Sequence, residues 1–192
     1  MDAAVAYEKK AHDYMDARDR SWIGYDAVRN WARKLRMGSE VIEIACGAGY
    51  PVTKVLSEAG LKLWAIDSSK TMLEAFKKRF PNVPHLCERV QNSNFFDREF
   101  DAAIAIGLIF LLPDHEQQEF IERIAGTLRP NGSFFFMAPK KKGEWIDVMT
   151  GVPSSSLGYD RYSEILNKSG FRVVSTVIDS GDNHYYEAEK MS

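Results

Sequence analysis

A chain of 192 residues has the length of one domain with a small appendage, and it can bury a core without disulfides or a structural metal. Its formal net charge is −2, from 25 basic and 27 acidic side chains, which excludes a dominant electrostatic commitment to nucleic acid or to an anionic membrane. The two cysteines, Cys46 and Cys87, stand far apart and outside any CxxC or metal-ligand spacing, so no disulfide framework and no metal site is expected, and the natural setting is a reducing cytoplasm.

The first residues alternate charges with single apolar side chains and carry no apolar leader. The longest apolar run, 102–112, is about half of the roughly 20 residues that span a bilayer, so no membrane association is expected. Residues 2–36 read as helical, with Val5, Tyr7, Tyr14, Trp22, Val28, Trp31 and Leu35 set among charges and Gly24 as a weak point. This preface, 1–37, divides from a domain over 38–192.

Within that domain, 40–45 is an apolar, β-branched segment suited to a buried strand, and 51–59 reads as a helix ended by Gly60. A second strand over 61–66, a helix over 69–79 closed by Pro81, a short strand over 83–87 and a fully apolar strand over 100–106 follow. A helix over 114–128, with Asp114 as N-cap, leads through the turn Arg129-Pro130-Asn131-Gly132 to a fifth strand over 133–138. Strands alternating with helices imply βαβ units and an α/β three-layer sandwich on a parallel sheet. The stretch 145–158 reads as a loop over the site or a linker. After a helix over 159–169, strands over 171–178 and 184–189 flank Asp179-Ser180-Gly181-Asp182-Asn183, a hairpin connection. The expected sheet is therefore seven-stranded and mostly parallel, with the last strand antiparallel.

The chemistry is concentrated where the first strand meets its helix, in Glu43-Ile44-Ala45-Cys46-Gly47-Ala48-Gly49. Glycines at 47 and 49 let a ligand approach the backbone at the carboxyl edge of the sheet. Asp67, at the end of the second strand, is placed to accept from both hydroxyls of a ribose and also to cap the helix that follows. A dinucleotide fingerprint would need Gly or Ala where Val52 stands, which weighs against an NAD-dependent oxidoreductase.

Glu43 four residues before Gly47 resembles the E/D-x-x-x-G-x-G motif of class I S-adenosylmethionine-dependent methyltransferases, and four further segments resemble that family in order. Ile66-Asp67-Ser68-Ser69-Lys70-Thr71-Met72 is similar to its second motif, and His85-Leu86-Cys87-Glu88-Arg89-Val90 to its third-strand element. Phe100 to Gly107 matches the fourth strand, and Leu128-Arg129-Pro130-Asn131-Gly132 the turn before the fifth. The resemblance implies S-adenosyl-L-methionine as cofactor and S-adenosyl-L-homocysteine as product. It implies cofactor contacts at Glu43, Ala45, Cys46, Gly47 and Gly49 from the first motif. Asp67 and Ser68 would hold the ribose, Met72 would pack near the adenine, and Glu88, Arg89 and Val90 would meet the base. Ile106 and Gly107 would complete the site.

The same resemblance implies that the N-terminal helices close over the cofactor, with Tyr14 as the lid residue. The acceptor would be a small molecule or a protein, reached by direct displacement that requires no base. Where many relatives have a His after the fourth strand this chain has Phe110, so no catalytic residue is carried over. A noncatalytic cofactor-binding subunit is the alternative. Cys46 is expected to be a small filler, His12 a solvated side chain, and Lys140 to Lys142 a solvated loop rather than an anion site.

Overall fold

The computed structural model describes residues 2–192. Apolar strands of period two and helices with one apolar stripe leave few ways to bury both kinds of face, and stacking helices on each side of a sheet is the one found here. The strands are β1 (Glu40–Ile44), β2 (Lys62–Asp67), β3 (His85–Cys87), β4 (Phe100–Ala105), β5 (Leu128–Met137), β6 (Gly143–Ile146), β7 (Pro153–Ser156), β8 (Phe171–Ile178) and β9 (His184–Lys190). Seven of them form one sheet in the order β3-β2-β1-β4-β5-β9-β8. β1 pairs in parallel with β2 on one side and β4 on the other, while β9 is antiparallel to both β5 and β8. The chain leaves β1 and β4 toward opposite edges, which opens a crevice at their carboxyl ends.

The helices are α1 (Ala3–Lys9), α2 (Ala11–Asp19), α3 (Tyr25–Ala32), α4 (Val52–Glu58), α5 (Lys70–Arg79), α6 (Asp114–Thr127) and α7 (Tyr159–Lys168). Alternation along the strands sends Ile42, Ile44, Phe134, Phe136 and Tyr186 to the α6 and α7 side. Val41, Ile104, Phe135 and Tyr185 go to the α3 and α4 side. Aromatic stacking knits each layer: Phe136 lies 4.8 Å from Tyr186 and Trp31 lies 5.2 Å from Phe135, ring centre to ring centre.

Four expectations are corrected. The preface is not one unit, because α3 belongs to the body: Val28, Trp31 and Ala32 are buried against β1, β4 and β5, and the Trp31 indole N–H donates to the Ser133 hydroxyl at 2.9 Å. Only α1 and α2 lie outside the sandwich proper. Asp114 is the first helical residue and does not cap α6; Pro113 occupies the cap, and the Asp114 carboxylate accepts from Ser155 instead. The turn 129–132 bulges out within β5, whose pairing with β4 jumps from Phe100↔Leu128 to Ala102↔Ser133. Finally, 145–158 is no plain loop, since β6 and β7 form a separate two-stranded hairpin with Trp145 opposite Ser154.

Candidate active site

β1 ends in a turn that no ordinary backbone could make, with Ala45, Gly47 and Gly49 all at positive φ (57°, 55° and 85°). Asp67 at the end of β2 holds this turn in place. One of its oxygens accepts the Gly47 N–H at 2.7 Å and the other the Ser69 N–H at 2.7 Å. Burial pushes the Asp67 carboxyl up, and the amides of Ser69, Gly47 and Ser68 oppose that shift. The capping of α5 falls to Ser69, whose hydroxyl accepts from the Met72 N–H at 3.1 Å, so Asp67 is not the cap.

The two glycines answer different demands. A side chain at Gly47 would meet only ordinary contacts, 3.6 Å from the Met72 sulfur and 3.7 Å from Tyr14, so its backbone lies open to the crevice. At Gly49 a Cβ would stand 2.3 Å from the Phe80 ring. That glycine exists for packing.

Over this turn sits a cavity of about 830 Å³. Ala45, Gly47, Asp67, Ser68, Met72 and Tyr14 line it, and so do Glu88, Arg89, Val90, Ile106 and Gly107. Three residues expected to contact a cofactor stand off its wall. Glu43 turns its side chain to the α4 side, where the Thr53 hydroxyl donates to it at 2.6 Å; burial pushes its carboxyl up to about 8, the Thr53 bond opposing and the Asp67 charge adding. Cys46 packs among Ala65, Leu73 and Phe76, and burial lifts its thiol well above the usual range, which fits a filler rather than a nucleophile. Gly49 is the third.

On the cavity wall, one Glu88 carboxylate oxygen is buried without a hydrogen-bond partner. A buried acceptor left open is costly in a closed protein and is the expected mark of a donor supplied by a ligand. Arg89 is already engaged, its guanidinium forked onto Asp2 at 2.9 Å. Adenosine chemistry therefore fits these residues: an apolar slot at Met72, Val90 and Ile106, an unfilled acceptor at Glu88, and Asp67 with spare lone pairs at the strand end.

The rest of the enclosure comes from the N-terminal helices, where Tyr14 was expected, and from the hairpin. α1 and α2 roof the cavity: Glu8 accepts from the hydroxyls of Ser69 and Thr71 at the start of α5, which holds its carboxyl below the usual range, and the Asp19 carboxylate pairs with Arg79 at 2.6 Å. Tyr7 and Tyr14 meet edge to face at 5.3 Å, both on the wall. The Tyr7 hydroxyl donates to Asp147 at 3.3 Å, just past β6, so the N-terminal roof touches the hairpin. The hairpin itself supplies Trp145, Ile146 and 152–155, and Gln117 on α6 ties it down by donating to the Leu112 and Ser155 carbonyls at 2.9 and 3.1 Å. Phe110 packs against Trp145 at 5.6 Å, as an apolar side chain should where relatives place a His. His12 does not line the cavity, and Lys140 and Lys142 border a different depression beside α7.

Residues 41–132 match the model of the methyltransferase domain family. Over this stretch, a little under half of the chain, the protein is similar to methyltransferase domains. The matched segment and its flanks are 23% identical over 141 residues to a tRNA U34 carboxymethyltransferase of Idiomarina loihiensis, covering 68% of this chain and 40% of that protein. They are 24% identical to a demethylmenaquinone methyltransferase of Paenarthrobacter aurescens, covering 99% of this chain and 71% of that one. Among solved structures, the 1,6-didemethyltoxoflavin-N1-methyltransferase of Burkholderia thailandensis, with its substrate and S-adenosylhomocysteine bound, superposes with a TM-score of 0.72 at 17% identity. That likeness covers 100% of this chain and 92% of the other, and it establishes the fold. Among the described residues no helix is long and apolar enough to cross a membrane.

Proposed function

We propose that the protein transfers a methyl group from S-adenosyl-L-methionine to a small-molecule acceptor. The observation that carries this reading is the meeting, in one cavity, of the open glycine backbone at Gly47, the Asp67 carboxylate and the unpartnered Glu88 oxygen. Gly47 and Ala45 take the amino-acid end of the cofactor, where a side chain at 47 would intrude. Each Asp67 oxygen keeps a lone pair beyond its backbone amide and accepts one ribose hydroxyl, with Ser68 beside it. Glu88 accepts from the adenine amino group, while Met72 and Val90 hold the ring between apolar surfaces.

When bound, the cofactor supplies an activated methyl group on a sulfonium. The residues of this chain then have to align the acceptor behind that methyl and keep water out, which is where most acceleration of a direct displacement arises. Tyr7 and Tyr14 on the roof and Trp145 on the hairpin do the enclosing. A cavity of about 830 Å³ holds a cofactor and a second small molecule together, within the range of about 300–1,000 Å³ for ligand sites. The acceptor enters past Ile106 and Gly107, between the segment 108–113 and the hairpin. Both cysteines are free, which suits a reducing cytoplasm.

Calorimetry tests the cofactor assignment: S-adenosylhomocysteine should bind at micromolar levels, about −8 kcal/mol, and NAD should not. Binding of NAD alone would overturn it. Release of S-adenosylhomocysteine on incubation with a pool of candidate acceptors separates an enzyme from a cofactor-binding subunit.

A further inference from the structure

Beyond the cofactor residues, the cavity has a second wall, made by the segment after β4, the start of α6 and the hairpin. Its apolar side chains are withdrawn from solvent: Leu112 and Val152 are 8% and 4% exposed, and Leu108, Leu111 and Trp145 are half-buried. The segment and the hairpin are far apart in the chain, and Gln117, fully buried on α6, joins them. Its amide donates to the Leu112 carbonyl at 2.9 Å and to the Ser155 carbonyl at 3.1 Å, and its oxygen accepts from the Tyr162 hydroxyl at 2.6 Å. The Trp145 ring packs on Phe110, 5.6 Å between centres. The apolar side chains are thus held as one surface before a ligand arrives, so little ordering is left for binding to impose.

The charged side chains of this wall are Asp114, Glu116 and Glu144. Asp114 already accepts from the Ser155 hydroxyl and Glu116 from the Gln91 amide, both at 2.6 Å, while Glu144 is exposed. The wall has no Lys or Arg: the cavity's one cation among the described residues is Arg89, paired with Asp2 on the cofactor side. An anionic ligand pressed on this surface gives up its hydration and meets only carboxylates. A cationic one meets carboxylates that are exposed or already accepting, whose attraction water and salt screen. A neutral ring has no charge to desolvate, and it releases water from its own surface and from the wall.

We infer that the methyl acceptor is a neutral aromatic molecule, seated through its ring on Leu108, Leu111, Leu112, Trp145 and Val152, and that carboxylates, phosphates and ammonium compounds are kept out of the acceptor position. The inference rests on the methyltransferase reading above and names the acceptor class that this reading leaves open. Trp145 is the residue on which the selection turns, since it offers the largest ring on the wall for an aromatic partner. The wall discriminates as much by the partners it withholds from a charge as by the area it offers a ring.

The test uses the full chain loaded with S-adenosylhomocysteine and titrated by calorimetry with three compounds on one ring system: 2-naphthol, which is neutral at pH 7, 2-naphthoate and 2-naphthylmethylamine. The naphthol should bind tighter than either charged compound by about tenfold or more, and its affinity should stay the same in high salt. Trp145→Ala should weaken the naphthol by about tenfold, Trp145→Phe should restore most of that loss, and Leu111→Asn should weaken it severalfold, all with S-adenosylhomocysteine affinity unchanged. Either charged compound binding as tightly as the naphthol, or a Trp145→Ala protein binding it like the parent, overturns the inference. So does the absence of naphthol binding to protein that does bind S-adenosylhomocysteine. Failure to bind S-adenosylhomocysteine at all overturns the methyltransferase reading itself.

Discussion

Two carboxylates at the end of the central strands show how differently the same group is used. Asp67 is held by the amides of Gly47 and Ser69 and keeps lone pairs free for a ligand. Charge-assisted hydrogen bonds contribute about 1.5–3 kcal/mol each, so Asp67→Ala should weaken S-adenosylhomocysteine binding by on the order of 100-fold in calorimetry. An affinity within twofold of the parent would place the ribose elsewhere. Glu43, by contrast, lies in the core with Thr53 as its partner and a carboxyl pushed up to about 8. In the folded state it keeps its proton through a window in which the unfolded chain has lost it, so the folded form binds more protons there and stability falls as pH rises. The loss should approach about 1.4 kcal/mol per pH unit between roughly pH 5 and pH 8. Denaturation midpoints of Glu43→Gln, which cannot titrate, should lack this slope, and parallel curves for the two proteins would show that Glu43 is ionised in the fold.

At the scale of elements, the roof is held by few buried apolar side chains. α2 buries only Ala11 and α1 only Ala6, and both dock through polar groups, Glu8 on Ser69 and Thr71, Asp19 on Arg79, Asp2 on Arg89. Elements so attached open at a small fraction of the global cost. Hydrogen exchange over 2–20 should therefore slow when S-adenosylhomocysteine is added, whereas α3 should be protected in both states because Trp31 anchors it. Deleting 2–20 should cost far more turnover than stability, and Tyr14→Ala should weaken cofactor binding more than Tyr25→Ala. Equal protection with and without ligand, with activity intact after truncation, would make α1 and α2 mere packing.

For the molecule as a whole, the sheet is held by aromatic layers that span the joint between its parallel and antiparallel parts. Phe136 is fully buried, contacts Phe134, Tyr162 and Tyr186, and lies where β5 meets β9. Phe136→Ala should cost about 3–5 kcal/mol in urea denaturation, a large share of the roughly 5–15 kcal/mol that holds a domain together. A loss below about 1 kcal/mol would mean that the antiparallel pair folds independently of the rest.

The seven strands of the main sheet, the helices between them and the place of Asp67 at the end of β2 were determined by the sequence alone, because period-two and helical patterns, Gly60, Gly170 and the 179–183 turn are local signals that tertiary context had only to assemble. The roles of Glu43 and Gly49 were not legible there: a motif gives spacing, while the face toward which a side chain turns depends on Thr53 and Phe80, brought in from other elements. The division of the preface, with α3 in the body and α1 and α2 over the cavity, was likewise decided by packing, since Trp31 and Tyr14 look alike until β5 or Gly47 stands beside them. The hairpin β6–β7 was hidden for the same reason. Two four-residue strands, one of them mostly serine, carry almost no pattern of their own; Gln117 and Asp114 on α6 hold β7, and Tyr162 on α7 holds Leu157 just past it, at the mouth of the cavity.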